Sequence, residues 1–530
     1  MKRYRYIILG LLATIFATGC TSDFDKMNTN PLSIDDASPA YILPYVEETG
    51  IHVDSWAYQV GDNLHTNLYS QYLANSATYF SADRYTYNSS WITDGFWTPY
   101  YNGVLKYLKV VKTTAQTDTI YSNIYQMMRI YTASCTASMT DLFGDIPYSE
   151  ASVGNSQPTY DSQKSIYYDV FNELTEAVAA LKAHESDDTQ ADCSGDKDLI
   201  YSGSVAKWIK LANSLRLRYA LRLYYIDPAK AKTEGEAALA AGVMGSNDDN
   251  AGVKITGNGS NGYPLYQISG WSEFTMSKTM ENVLKNTSTV LDPRTSIWFG
   301  QTRAYVAGTS SVKYQGIPNG LASTSLTGNY APDNNSYVWG LYACPEWNSA
   351  GTEPSNFLLS KRMKVMNYAE VCLLKAEAAL RGWSGAGTAQ ADYEDGIRAS
   401  FADERSSVSE ASLYSTSDDN TYITTGSVKW DESAELETKL NQIITQKWLA
   451  VYPNGIEAWS EFRRTGYPKL TPVVESDEPT IDPTQNQFIK KLRYVDEETK
   501  SNPNASLSSL NSNKGDGSNV RVWWDTQRYK

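Results

Sequence analysis

The residues with the most conspicuous chemistry are aromatic. The chain carries 14 Trp and 39 Tyr against 12 Phe. A core built only for packing would lean on Phe. Trp and Tyr combine an apolar face with a polar edge and suit wet binding surfaces. They gather in two stretches. Residues 76–100 hold Tyr79, Phe80, Arg84, Tyr85, Tyr87, Trp91, Phe96 and Trp97, and residues 263–347 run from Tyr263 and Tyr266 through Trp271 to Trp347. Sugar rings have flat C–H faces that stack on aromatic rings, and their hydroxyls need amide, carboxylate or guanidinium partners at the rim. Both stretches interleave rings with such groups. The expectation is a stacking surface for neutral glycans, with Tyr79, Arg84, Tyr85, Trp91, Tyr266, Trp271, Trp298, Tyr314 and Trp339 as candidate ligand contacts. Any single ring is more often core than contact, because Trp and Tyr are largely buried on average.

Other chemistries leave weaker traces. Three histidines (His52, His65, His184) and five cysteines exclude most His/Cys metal enzymes. No nucleophile elbow, P-loop, dinucleotide fingerprint or HExxH occurs. A formal net charge of −14 argues against a nucleic-acid partner, which needs concentrated Lys and Arg. A glycosidase would need two carboxylates about 5–9 Å apart across a cleft, a separation that sequence does not give; catalysis is the lesser reading, and no cofactor is expected. Ser246-Asn-Asp-Asp-Asn250 is a dense oxygen cluster. It reads as a solvated turn before it reads as a calcium loop. Cys135 and Cys372 sit among apolar residues at helical spacing and read as buried free thiols.

Helices must position the rings. Residues 121–142, 165–182, 204–224, 368–381 and 434–452 repeat apolar residues at helical spacing, and 56–75 and 97–113 do so more weakly. Amphipathic helices of this length, joined by modest loops, point to stacked helix pairs. No 34-residue period is clean, so any repeats are degenerate. Residues from about 245 to 365 are rich in Gly, Asn, Ser and Tyr and form a loop-rich insertion; long loops in a compact protein usually carry function.

The N-terminus reads as a sorting signal. Residues 2–6 are Lys-Arg-Tyr-Arg-Tyr, and an apolar stretch from Ile7 to Ala17 ends at Thr18-Gly19-Cys20. The stretch is too short to span a bilayer, which takes about 20 residues. A lone cysteine after small residues marks a lipoprotein signal over 1–19, with Cys20 lipidated; an ordinary signal peptide with an incidental cysteine is the alternative. The mature chain, 20–530, is then anchored to a membrane rather than inserted in it. Thr-Ser-Asp-Phe-Asp follows the cysteine, an acidic run that resembles the surface-export signal of Bacteroidetes lipoproteins.

Longer motifs appear in order along the body: Asp141-Leu-Phe-Gly-Asp-Ile-Pro-Tyr-Ser-Glu-Ala151, Trp208-Ile-Lys-Leu-Ala-Asn-Ser-Leu-Arg-Leu-Arg218, Asn367-Tyr-Ala-Glu-Val-Cys-Leu-Leu-Lys-Ala-Glu-Ala378, Gln446-Lys-Trp-Leu-Ala-Val-Tyr-Pro-Asn-Gly-Ile-Glu-Ala-Trp459 and Arg463-Arg464-Thr-Gly-Tyr-Pro468. With Asn28-Thr-Asn-Pro31 and the late Val522-Trp-Trp-Asp525, this pattern resembles the SusD/RagB family, in the SusD-like branch with the Asn-Ser-Leu-Arg-Leu-Arg helix. The resemblance implies a mostly α, single-domain fold of about four degenerate tetratricopeptide-like helix pairs, with irregular loops building the ligand face. It also implies a lipid-anchored outer-membrane protein at the cell surface that captures oligosaccharides for a SusC-like TonB-dependent transporter and is not an enzyme. A RagB-like peptide-capturing protein of the same architecture is the alternative. The matching motifs belong to the scaffold and assign no ligand contacts. On the residues themselves, Arg216, Arg218 and Arg222 call for acidic neighbours such as Asp141 or Glu377, as exposed pairs of about 0–1 kcal/mol each. Trp208, Trp448 and Trp459 read as core, and Gly144 and Gly455 as turn residues.

Overall fold

A computed structural model describes residues 37–255, 262–285, 289–338, 362–407, 416–505 and 508–529. The expectations for Cys20 and Trp339 therefore lie outside the described residues, as does Cys344. The principal helices are α1 (Pro39–Gly50), α2 (Lys106–Thr117), α3 (Ser122–Phe143), α4 (Gln163–Ala183), α5 (Val205–Arg222), α6 (Pro228–Ala241), α7 (Tyr368–Leu380), α8 (Ala389–Ser406), α9 (Leu436–Ala450) and α10 (Gly455–Thr465). They pack as successive pairs: α3 on α4, α5 on α6, α7 on α8, and α9 on α10. The α4–α5 and α7–α9 contacts join one pair to the next. This is the mostly helical, tetratricopeptide-like frame expected. The five strongly periodic segments coincide with α3, α4, α5, α7 and α9. Sequence periodicity missed α1, which contains Pro44, the Ala-rich α6, the charged α8 and the short α10.

Capping chemistry places several helix starts. Ser162, Asp227, Asn367 and Asn454 each accept a hydrogen bond from the backbone N–H three residues on, satisfying a donor that the first helical turn leaves open. Two caps do more. The residues that follow Asn367 and Asn454 by three are Glu370 and Glu457, and both carboxylates belong to a charge network at the centre of the frame.

In that network Arg218 Nη2 lies 2.5 Å from Glu370. Arg222 reaches Glu457 at 2.6 Å, Glu461 at 2.6 Å and Asp141 at 3.4 Å. Lys447 lies 2.7 Å from Glu457, and Arg464 bridges Glu377 and Glu461 at 2.6 Å each. The arginine motif on α5 was expected to make exposed pairs. Arg218 and Arg222 are instead buried, and only Arg216, paired with Glu234 at 2.5 Å, sits near the surface. Burial alone would push the Glu377, Glu457 and Glu461 carboxyls up; the surrounding Arg and Lys charges outweigh it and hold them below the usual carboxylate range. Trp208, Trp448 and Trp459 are fully buried, and Cys135, Cys193 and Cys372 are buried free thiols.

Gly144 ends α3 at φ +83°, as a turn glycine should. Gly455 serves another purpose: a Cβ there would lie 2.6 Å from Asn67, so the start of α10 rests directly on the 55–69 helical run. That run and the one at 89–117 contain π-helical turns, Gln59–Thr66, Thr93–Trp97 and Pro99–Leu105. Each π turn shifts the side-chain register by one residue, which explains the weak periodicity of the segments 56–75 and 97–113. π turns are frequent at functional sites.

The described part of the insertion is irregular and tied to the frame by short antiparallel pairs. β1 (Leu73–Asn75) pairs with β5 (Phe274–Met276) in the register Leu73↔Met276, and β4 (Ala251–Lys254) pairs with β6 (Arg362–Met366). A third pair, β2 (Ile146–Pro147) with β3 (Tyr160–Asp161), follows α3.

Candidate ligand-binding site

The β1–β5 pair brings the two aromatic stretches together. Beyond its end, Ser76 N–H donates to the Glu273 carbonyl at 2.8 Å, and Ser76 Oγ donates to the Ser272 carbonyl at 3.2 Å. This seats the 76–85 loop against the turn at 269–273. Two rings at this junction face solvent: Tyr79 is 70% exposed and Trp271 is 51% exposed. Tyr79 Oη donates to Glu273 Oε1 at 2.5 Å. That hydrogen bond, with slight desolvation, pushes the phenol up to about 12. The other carboxylate oxygen of Glu273 accepts from Gln59 Nε2 at 3.1 Å, and Gln59 Oε1 accepts from Asn63 at 2.9 Å.

Gln59 continues the short helix Ser55–Tyr58, which carries a third solvent-facing ring, Trp56, 56% exposed. Its indole N–H donates to Asp94 Oδ2 at 3.4 Å. The two helical runs meet where Gly61 and Gly95 touch through their backbones: a Cβ on Gly95 would lie 2.4 Å from Gly61 Cα. Only this close approach lets Trp56 and Asp94, on separate runs, engage one another. Thus Trp56 and Tyr79 share one device. The polar edge of each ring is held by a carboxylate, and the ring is left exposed. Holding a ring in place before a ligand arrives reduces the ordering cost of binding.

Behind the exposed rings lies a packed aromatic layer. Phe80 contacts Tyr79 at 4.8 Å, Trp91 at 5.9 Å and Phe274 at 6.1 Å between ring centroids. Trp91 is half-buried there, its backbone N–H bound by Asn88 Oδ1 at 3.2 Å.

The structure redistributes the other expected contacts. Tyr85 is buried at φ +64°, edge-on to Tyr69 at 5.4 Å. Trp298 is fully buried between Tyr452 at 4.6 Å and the Arg294 guanidinium at 5.4 Å. Tyr314 is buried, and its phenol is pushed up to about 12 by desolvation. These three rings are core, because each is buried and leaves no ring face open to a ligand. The Arg84 guanidinium is engaged by Asp477 through Nε at 3.1 Å and Nη2 at 3.0 Å. Tyr266 lies on the helix Pro264–Ser269, and its side chain is outside the described residues. Sequence reasoning missed Trp56, Gln59 and Glu273. Trp56 sits outside both aromatic-rich stretches, and only the fold brings it alongside them.

The oxygen-rich turn 246–250 is taken up by lysines. Lys210 Nζ lies 3.0 Å from both Asp249 carboxylate oxygens, and Lys207 Nζ donates to the Asp248 carbonyl at 2.7 Å. Ammonium groups stand where a calcium ion would need open ligands. Two cavities, of about 100 Å³ beside His52 and Asp62 and about 420 Å³ beside Arg362 and Asp403, are lined by none of the three exposed rings.

Aromatic loops on a frame of helix pairs agree with what comparison gives. A family described as "Susd and RagB outer membrane lipoprotein" matches residues 23–525. The chain belongs to the SusD-like family. A chitin-binding SusD homologue from Flavobacterium johnsoniae is 30% identical, with 93% of this chain and 99% of that chain covered and a TM-score of 0.75. A SusD homologue from Bacteroides vulgatus is 28% identical over 92% of this chain and 98% of that one, with a TM-score of 0.77. Another solved structure, a chitin-binding protein, is 28% identical over 92% of this chain and 100% of that one, at a TM-score of 0.75. No curated protein matches the chain. The SusD-like family is one of outer-membrane lipoproteins, and among the described residues no helix is long and apolar enough to cross a membrane.

Proposed function

We propose that this SusD-like protein captures oligosaccharides at the cell surface and delivers them to a SusC-like TonB-dependent transporter. It is held to the outer membrane by lipid on Cys20, and the mature chain 20–530 acts as one domain. The observation that carries the reading is three exposed rings, Tyr79 and Trp271 at the β1–β5 junction and Trp56 on the helix that Gln59 ties to it, two of them braced by carboxylates. Sugar rings stack on such faces without any bond being made or broken, so no catalytic group is required. The likeness to chitin-binding homologues makes N-acetylated glycans the first ligands to try. Affinity electrophoresis of the mature protein through gels containing a panel of glycans tests the reading. Retardation by at least one glycan is expected. Failure to bind any glycan, together with peptides recovered by mass spectrometry from the purified protein, would move the cargo to peptides.

A further inference from the structure

The charge carried by the segments of the ring cluster is one-sided, the cation Arg493 over the Tyr87 ring at 4.3 Å coming from another part of the chain. The segments that build it, 54–59, 76–94 and 268–274, contain the charged residues Asp54, Asp83, Arg84, Asp94 and Glu273. Asp83 is buried under the loop, and Arg84, the one cation of these segments, is clasped by Asp477 at 3.0 Å. Asp54, Asp94 and Glu273 enter no ion pair among the described residues. Asp54 and Asp94 are exposed beside Trp56. Glu273 sits between Tyr79 and Gln59, each of its oxygens accepting one hydrogen bond. A carboxylate oxygen accepts two, so each retains a lone pair. The positive charge that would offset these carboxylates is absent from the three segments.

We propose that Glu273, with Asp94 and Asp54 beside it, sets the charge specificity of the ring cluster. The cluster accepts neutral glycans and favours those bearing free amino groups, such as glucosamine units, and it rejects glycans bearing uronate or sulfate. This rests on the glycan-binding reading of the same cluster. Donor-bearing groups, hydroxyl or ammonium, are drawn by these carboxylates, Asp54 and Asp94 being exposed and Glu273 8% exposed. An anionic substituent brought to the same place meets three like charges, and like-charge juxtaposition is an efficient way to exclude a wrong partner. Glu273 is a positioning residue as well, since it holds the Tyr79 ring. The test therefore needs a substitution that keeps the hydrogen bonds and removes the charge.

Glu273→Gln comes nearest: it removes the charge and its carbonyl oxygen still accepts from Tyr79, while its NH2 can only donate and gives up the bond from Gln59. Calorimetry on the mature protein would compare three probes of equal length: the hexamers of N-acetylglucosamine, glucosamine and galacturonic acid, at 20 and 300 mM salt. At low salt the wild type should bind the glucosamine hexamer about two- to five-fold more tightly than the acetylated one, in line with the strength of partly exposed ion pairs. High salt should erase the preference. The galacturonate hexamer should not bind measurably. In Glu273→Gln the ratio of the two affinities should fall toward one, whatever the absolute affinity for the acetylated hexamer. A wild type that binds the galacturonate hexamer as well as the acetylated one overturns the proposal. An unchanged preference in Glu273→Gln overturns it too, while binding of the acetylated hexamer in that experiment leaves the glycan reading intact. No binding of any hexamer overturns the proposal and leaves the glycan reading to the wider panel.

Discussion

Arg216 and Arg222 lie on the same helix, α5, six residues apart, yet their removal should have very different consequences. Replacing Arg222 with Met keeps most of the side-chain volume and deletes the charge. Its guanidinium contacts three carboxylates, Asp141, Glu457 and Glu461, in a place with no solvent access. Glu457 would keep Lys447 at 2.7 Å, and Glu461 would keep Arg464 at 2.6 Å. Asp141 would keep two neutral donors, the Tyr167 hydroxyl and the Trp524 indole, each at 2.6 Å, and the more distant charge of Arg463, which bonds its backbone carbonyl at 2.7 Å. One buried carboxylate is left without a direct ion pair, which costs about 3 kcal/mol or somewhat more. Arg216→Met removes a pair that is only partly exposed, but Glu234 retains Lys230 at 2.7 Å, so no charge is stranded and the cost is about 1 kcal/mol. Unfolding entropy near 2.1 cal/mol/K per residue gives roughly 1 kcal/mol/K for a chain of this size. Differential scanning calorimetry at pH 7.5 should therefore show a fall in Tm of about 3–5 °C for Arg222→Met and about 1 °C or less for Arg216→Met. Equal shifts for the two variants, or an Arg222→Met protein that melts with the wild type, would refute the reasoning that the network is a buried, mutually dependent unit.

Acid should loosen the frame. The Glu377, Glu457 and Glu461 carboxyls are depressed, so the stability they contribute is complete above the unfolded value near 4.3 and is lost as pH falls further. Melting curves should show Tm falling steeply below about pH 4.5; a flat profile down to pH 3 contradicts this. Asp83 behaves in the opposite sense. Burial pushes its carboxyl up to about 6, ahead of the backbone N–H groups that lower it, and Oδ1 has no partner. Its ionisation on going from pH 4 to pH 7 costs up to about 3 kcal/mol, so Asp83→Asn should gain Tm relative to wild type as pH rises through that window, and a constant difference would argue against it. Gly95→Ala should force the 89–117 run away from Gly61, costing roughly 1–3 kcal/mol and separating Asp94 from Trp56. Weaker glycan binding that accompanies the lower Tm would confirm the link, and unaltered binding would break it.

The frame was readable because its helices bury one face each and therefore repeat their apolar residues every three to four positions. Where the backbone departs from that rule the pattern fails: π turns in the 55–69 and 89–117 runs blur the very segments that carry Trp56 and Asp94. The arginine motif on α5 was visible, but its burial was not, because charged residues look alike in sequence whether they meet water or the charged groups of four other helices. The site was half legible. Ring density pointed to the loops that hold Tyr79 and Trp271, yet it could not separate them from Tyr85, Trp298 and Tyr314, whose neighbours come from distant parts of the chain. Glu273 carried no signal at all until β1 paired with β5 and brought Tyr79 and Gln59 to it.

The most direct measurement is calorimetric titration of the mature protein with an N-acetylglucosamine hexamer, or the tightest glycan of the electrophoresis panel, across wild type, Trp271→Ala, Tyr79→Ala and Trp298→Phe. If exposed rings hold the sugar by stacking, each of the first two substitutions weakens binding by roughly 1–3 kcal/mol, about 5- to 150-fold, by analogy with stacking on other planar ligands, while the buried Trp298→Phe change leaves the Kd as it was. Wild-type affinity in both Trp271→Ala and Tyr79→Ala would contradict the account.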